Sequence, residues 1–190
     1  MTEAATGDQA TGADRLPGDP SGAELVARMI RVDHAGEYGA LRIYHGQLAV
    51  LGDKPAGAII RRMAAQEQRH LETFDQLIVA RGVRPTALSP LWNLAGFALG
   101  AASALLGEQA AMATTVAVET EINAHYARQA ARLGADEAAL KATIEDFRRD
   151  ELEHRDIGLA HGAEDAPGYP ALNAAVRAGT RLAIWLSERV

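Results

Sequence analysis

The chain has 190 residues, a formal net charge of −6 and no cysteine. Disulfides, thiolate nucleophiles and Cys-ligated metal clusters are thereby excluded, and the acidic balance argues against a nucleic-acid binder, which concentrates basic charge on one face. With 48% hydrophobic and 23% charged residues the chain is expected to be globular, and any metal must be held by Asp, Glu and His.

The opening stretch MTEAATGDQATGADRLPGDP has neither the basic start nor the apolar run of a signal peptide, and its composition predicts a disordered tail over residues 1–20. Residues 21–190 are expected to form one helical domain, because Ala is abundant and Val, Ile and Thr do not alternate with period two. The first helix starts near Ser21, where Ser21-x-x-Glu24 reads as a capping box. Gly52-Asp53-Lys54-Pro55 ends it and opens the second, with Pro55 suited to a first turn. The second runs to about Arg81, closed by Gly82 and Pro85. Ser89-Pro90 opens a third, expected to continue, kinked at Gly107, to Leu133, with Gly134 closing it. Asp136 is expected to cap a fourth that reaches about His161, and a fifth segment covers 170–188. The most apolar run, LWNLAGFALGAASALLG at 91–107, is shorter than the ~20 residues that span a bilayer. Glu108 and Gln109 follow it at once, so no transmembrane helix is expected.

Spacings of three and four residues align side chains on one helix face. The second helix then carries Ile60, Met63, Glu67, His70 or Leu71, Phe74 and Leu77 on its inward stripe. The fourth carries Leu140, Ile144, Phe147, Glu151, His154 and Gly158. Each stripe contains Glu-x-x-His. The first helix gives Ile30, Asp33, Glu37, Leu41, Tyr44, Leu48 and Leu51, and the third gives Met112, Thr115, Glu119, Ile122, Tyr126 and Leu133, so each buries a Glu in mid-stripe. Glu37 precedes Glu67 by 30 positions and Glu119 precedes Glu151 by 32, so the pattern occurs twice.

A lone Glu-x-x-His usually marks a solvated helix face. Two copies on apolar stripes, each preceded by a buried Glu, are another matter. Buried carboxylates are costly unless paired or metal-bound, and Lys and Arg are largely absent from these stripes. Two divalent cations would balance the four carboxylates, and the imidazoles favour transition metals over calcium or magnesium. A Glu on each of two helices, with Glu-x-x-His on each of two others, is the pattern of ferritin-like di-iron and di-manganese bundles. The expected fold is therefore all-α: a ferritin-like four-helix bundle with additional helical segments.

The neighbouring polar residues read differently. Glu72, Glu121, Glu145 and Glu153 fall off the stripes and are expected to be solvated. Asp33, Asp150 and Asp156 either steady a metal-bound imidazole or pair with nearby arginines. His34 and His45 read as surface or packing residues, and His161 as meeting carbonyls at a helix end. Gly36 and Gly39 flank Glu37 inside a helix, where close packing and room for a ligand both account for them.

The runs VDHAGEYGALRIYHGQLAVLG, EQRHL, RP-x-x-L-x-PLWN-x-x-GFALGA-x-x-ALLG, VAVE and ELEHRDIGLAH resemble the demethoxyubiquinone hydroxylase family of ubiquinone biosynthesis, over about residues 31–190. The resemblance implies a carboxylate-bridged di-iron monooxygenase. By it, Glu37, Glu67 and His70 serve one iron and Glu119, Glu151 and His154 the other, with Glu67 and Glu151 able to bridge. The family's His-Tyr pair maps onto His125 and Tyr126. The implied reaction uses O2 as co-substrate to hydroxylate a polyprenylated 3-methyl-6-methoxy-1,4-benzoquinol. Electrons come from outside the site or from the quinol itself; the resemblance implies NADH as an external reductant, although no dinucleotide fingerprint is present.

So apolar a substrate implies peripheral contact with a membrane surface, and the resemblance makes partner proteins of ubiquinone biosynthesis an open expectation. Leu88 to Leu106 and the C-terminal ALNAAVRAGTRLAIWLSERV are the candidate contact regions. Composition and the lack of a targeting presequence point to a bacterium, and hence to the cytoplasmic side of its inner membrane. Two rivals remain at this stage: a ferritin-like iron oxidase or peroxide scavenger with the same six ligands, and a non-catalytic scaffold that binds metal for stability.

Overall fold

The computed structural model describes residues 20–190. The described residues contain no strand; they form α1 (Gly22–Leu51), α2 (Gly57–Arg81), α3 (Ser89–Leu105), α4 (Glu108–Ala130), α5 (Ala138–Ala160) and α6 (Tyr169–Ser187), with short 3-10 turns at Ala135–Glu137 and Ala163–Asp165. The expected tail lies outside the described residues, save Pro20. The all-α ferritin-like bundle is the architecture found. α1 pairs with α2 and α4 with α5 as two hairpins, while α3 packs along α1 and α6 along α4 as additional segments.

Local chemistry explains most boundaries. Ser21 accepts from the Glu24 amide at 3.2 Å and Glu24 accepts from the Ser21 amide at 2.6 Å, which completes the expected capping box. α2 starts later than expected. The chain turns through Pro55, and α2 begins at Gly57, where a Cβ would collide with the carbonyl oxygens of Leu51 and Gly52. Gly82 ends α2 at φ +60°, a left-handed cap that glycine adopts without strain.

The expected third helix proves to be two. Gly107 takes φ +115° and ψ 169°, which stops α3 and lets α4 restart in a new direction. Helix α4 ends at Ala130, before Gly134. Asp136 lies in a 3-10 turn and does not cap α5. Its neighbour Glu137 instead accepts two bonds from Arg81, at 2.8 and 2.7 Å, joining the end of α2 to the start of α5.

The contact between α1 and α3 is made by glycine. A Cβ on Gly46, Gly96 or Gly100 would strike the backbone oxygens of Phe97, Gly39 or Ile43 respectively. Gly100→Ala should therefore cost about 1–3 kcal/mol of stability, as overpacking does. Urea unfolding reads this out; an unchanged midpoint would show that α1 and α3 separate freely.

Two apolar clusters occupy the bundle. One includes Ile30, Phe74, Ile122 and Ile144; the other includes Leu51, Ile60, Met63 and Met112. On α1, α2 and α4 these residues lie on opposite sides, along the chain, of Glu37, Glu67 and Glu119. Polar groups at mid-height are thus sealed by apolar packing above and below.

α6 has its own anchor. Glu121, expected to be solvated, is 5% exposed. It accepts from Arg177 Nε at 2.6 Å and Arg181 Nη1 at 2.7 Å. The face of α4 that carries it is covered by α6, and that covering could not be read from α4 alone. Trp92 Nε1 donates to Ser187 Oγ at 3.0 Å, tying α3 to α6. Between α1, α3, α4 and α6 lies a cavity of about 510 Å³ with an almost wholly apolar lining.

Candidate metal centre

The structure brings together all six side chains that the stripes single out. Glu37 is 1% exposed, Glu67, Glu151 and His154 0%, and His70 and Glu119 1%. They form two overlapping sets. Glu37, Glu67, His70 and Glu151 present ligand atoms all within 4.8 Å of one another, as do Glu67, Glu119, Glu151 and His154. Glu67 and Glu151 belong to both. His70 Nδ1 lies 3.4 Å from Glu37 Oε2 and 3.2 Å from Glu151 Oε1. His154 Nδ1 lies 2.9 Å from Glu67 Oε1 and 3.5 Å from Glu151 Oε2.

These approaches are close but do not satisfy the atoms as hydrogen bonds. Glu37 Oε2, both oxygens of Glu67 and of Glu151, Glu119 Oε2, and Nδ1 of both histidines are buried without a hydrogen-bond partner. Orphans of this kind are rare in a protein interior. Here they converge on one space, and carboxylates with imidazole are the donor set that suits iron or manganese. The residues fit a pair of divalent cations.

In protein alone, protons fill that role. Burial, then the neighbouring carboxylates led by Glu151, push Glu67 and Glu119 well above the usual carboxylate range. Burial by itself would lower His70, but Glu151 and Glu37 outweigh it and push the imidazole up to about 12. His154 is likewise raised, with Glu151 outweighing burial. Burial would raise Glu151, yet His154 and His70 draw it down to about 2.

The surrounding hydrogen bonds follow an approximate twofold relation between the hairpins. Tyr44 of α1 donates to Glu119 Oε1 at 2.7 Å, and Tyr126 of α4 donates to Glu37 Oε1. Each tyrosine lies seven residues after its own hairpin's first Glu and serves the other hairpin's. Burial and the facing carboxylates hold both phenols well above their ordinary pKa, so they remain donors. Behind the histidines, His70 Nε2 meets Asp150 Oδ2 at 3.0 Å and His154 Nε2 meets Gln66 Oε1 at 3.1 Å. His70 also stacks on Phe147, with ring centroids 3.9 Å apart.

The other expectations sort themselves by contact. Asp150 supports an imidazole, whereas Asp156 is exposed and pairs with Arg155. Asp33 is buried but faces His125 and Gln129 rather than a ligand of either set. Gln129 Nε2 lies 2.8 Å from Asp33 Oδ1 and 2.7 Å from His125 Nε2. Burial raises Asp33 to about 6 against the opposing pull of His125 and Gln129. Tyr126 touches the cluster directly, and His125 stands beside it at a ring separation of 6.4 Å. His34 pairs with Asp75, His45 with Arg42, and His161 Nδ1 meets the Ile157 carbonyl at 2.9 Å. Gln66 was not foreseen, because a neutral amide next to Glu67 reads as solvated. Tyr44 could have been found, since it repeats the offset of Tyr126.

Gly36 and Gly39 now separate from the packing glycines. A Cβ on either meets nothing within 4 Å, and both line the apolar cavity. Room beside the cluster, rather than close packing, accounts for them. The same cavity is walled by Ala40, Val118 and Ile122, so it passes the residues that flank Glu37 and Glu119.

Comparison with known proteins adds an independent line. The family described as "Ubiquinone biosynthesis protein COQ7" matches residues 24–187. A protein of Rhodospirillum rubrum named 3-demethoxyubiquinol 3-hydroxylase is 62% identical over 181 residues, covering 95% of this chain and 85% of its own. The NADPH-dependent 3-demethoxyubiquinone 3-hydroxylase of Dictyostelium discoideum is 56% identical over 170 residues, covering 88% and 78%. The human protein of that same name is 54% identical over 169 residues, covering 87% and 78%.

Proposed function

The chain belongs to the COQ7 family of ubiquinone biosynthesis proteins, and we infer from that membership that it is a 3-demethoxyubiquinol 3-hydroxylase whose six buried Glu and His side chains hold two iron ions. The observation that supports the metal assignment is the pair of overlapping ligand sets sharing Glu67 and Glu151. Bound iron would supply the reduction of O2 that carboxylates and imidazoles cannot perform alone.

The remaining work falls to the chain. Glu67 and Glu151 would contribute to holding both cations, since each belongs to both ligand sets. Tyr44 and Tyr126 fix the outer carboxylates, and Asp150 and Gln66 fix the imidazoles. The apolar cavity receives the methoxy-methyl-benzoquinol ring and the start of its prenyl tail, and its size lies within the range of ordinary ligand pockets. Its lining excludes water and turns one ring carbon toward the cluster. Tyr126, the tyrosine of the family's His-Tyr pair, lies between His125 and Glu37 as a fixed donor. An iron oxidase or peroxide scavenger would have no use for such a cavity, and the relatives' names do not favour that reading. Reduced nicotinamide is the electron source we assign. The expected NADH widens to NADPH, the donor in the names of the Dictyostelium and human relatives.

The tail must reach lipid. No helix among the described residues is long and apolar enough to cross a membrane. Leu91, Leu94, Leu105 and Leu106 are exposed on and just after α3, as are Leu182 and Trp185 on α6, beside the cavity's walls. We assign this face to peripheral docking on the cytoplasmic side of a bacterial inner membrane, where partner proteins of the pathway would also meet it. The protein should float with liposomes of inner-membrane lipid, and Leu94→Glu with Leu105→Glu should cut the floating fraction several-fold. A wild type that stays at the bottom of the gradient refutes the docking face.

The activity is tested in the host. Deleting the gene should cause the demethoxy quinone precursor to accumulate. Wild-type protein should clear it and Glu119→Ala should not. An unchanged quinone pool on deletion would refute the hydroxylase reading.

A further inference from the structure

The twofold relation between the hairpins is broken at one pair of positions. The residue before each shared Glu reaches across to the other hairpin's histidine. In one hairpin it is Asp150, before Glu151; in the other it is Gln66, before Glu67. The contacts are alike in length, 3.0 Å from Asp150 Oδ2 to His70 Nε2 and 3.1 Å from Gln66 Oε1 to His154 Nε2. They differ in charge. The ligand sets do not, since each is three carboxylates and one imidazole.

With Nδ1 of each ring turned to the carboxylates, its other nitrogen donates outward. A hydrogen bond to an anionic acceptor is roughly twice as strong as one to a neutral amide, and it makes the far nitrogen a stronger donor to a cation. Asp150 is partly exposed, its side chain 29% accessible, with Arg69 3.9 Å away. The bond is nonetheless held in place, because His70 is 1% exposed and stacked on Phe147. Asp33, which is buried, faces His125 and Gln129 and so does not even out the difference.

We infer that the two cation positions are unequal by construction: the His70 position binds a divalent cation more tightly and fills first, and Asp150 is the positioning residue that makes it so. Gln66 is the neutral counterpart that keeps the His154 position weaker. The inference rests on the reading that the six side chains hold two cations. Its consequence is an order of loading, and an electronic difference between two positions with the same ligand types.

The test is a stepwise titration of metal-free full-length protein with Co2+, and anaerobically with Fe2+, followed by calorimetry and visible absorption. Wild type should bind two equivalents in distinguishable steps. Asp150→Asn, which keeps the size, should weaken the tighter step by about tenfold to a hundredfold and leave the other step unchanged. Gln66→Glu should tighten the weaker step, and combining the two should reverse the order. The proposal is overturned if wild type shows two equal steps, or if Asp150→Asn weakens both steps alike or neither. A wild type that binds no cation overturns the two-cation reading itself, a result distinct from two equal steps. Mössbauer spectra of the protein with less than one equivalent of 57Fe should show a single environment in wild type and a mixture in Asp150→Asn.

Discussion

Glu151→Ala is expected to abolish hydroxylation, with kcat falling on the order of a thousandfold or more, as when a residue acting within a catalytic unit is removed. The carboxylate is fully buried, with Oε1 3.2 Å from His70 Nδ1 and Oε2 3.5 Å from His154 Nδ1. Glu67 is the other member of both ligand sets, so losing Glu151 strips a ligand from each at once. Metal content should fall below two equivalents, while circular dichroism stays helical. The metal-free protein should lose stability, because Glu151 is the ionised partner of the raised His70 and His154 and its removal leaves buried imidazolium unpaired. Melting without metal should therefore fall, and stabilisation by added Fe2+ should shrink. Glu151→Gln, which preserves shape, should be equally inactive. Full turnover by either variant in an iron-quantified sample would sink the assignment.

Gly39→Leu is expected to block the substrate without disturbing the metal. A side chain at Gly39 meets no atom within 4 Å at its Cβ and grows into the cavity. Helix propensity favours the change by up to about 1 kcal/mol, so the melting temperature should hold or rise. Two cations should still bind. Activity on the polyprenylated quinol should fall about a hundredfold in kcat/KM, the scale of a reacting group misplaced by roughly 1 Å. Gly179→Leu fills the same cavity from α6, far along the chain from any of the six ligands, and should behave alike. Unimpaired kcat/KM in both variants would remove the cavity from the reaction path.

The cluster was legible because burial and chemistry conflict there. Glu37, Glu67, Glu119 and Glu151 sit on apolar stripes without basic partners, and such a conflict shows in one dimension. The stripe of α5, from Leu140 to Gly158, is the buried face in full. What escaped depends on other elements. Gly107 could have bent a helix or ended it, and only the docking of α3 on α1 decides for a break. Glu121 is polar on α4's outer side, and α6 closes over it. Pro55 suits a helix start, but the tight approach at Gly57 moves that start two residues on. Gln66 carries no charge to single out its contact with His154. Gly36 and Gly39 looked like Gly46 and Gly100 until the neighbouring backbones were in place.

The sharing of Glu67 and Glu151 also bears on how the chain matures. Neither hairpin owns a complete set of ligands, and each tyrosine donor serves the opposite one. A chain severed in the connection between Ala131 and Glu137 would yield fragments that each lack a carboxylate for either cation. A cation held by either set therefore requires the two hairpins to be docked already, and the colour of a bound transition metal would report that tertiary assembly is complete.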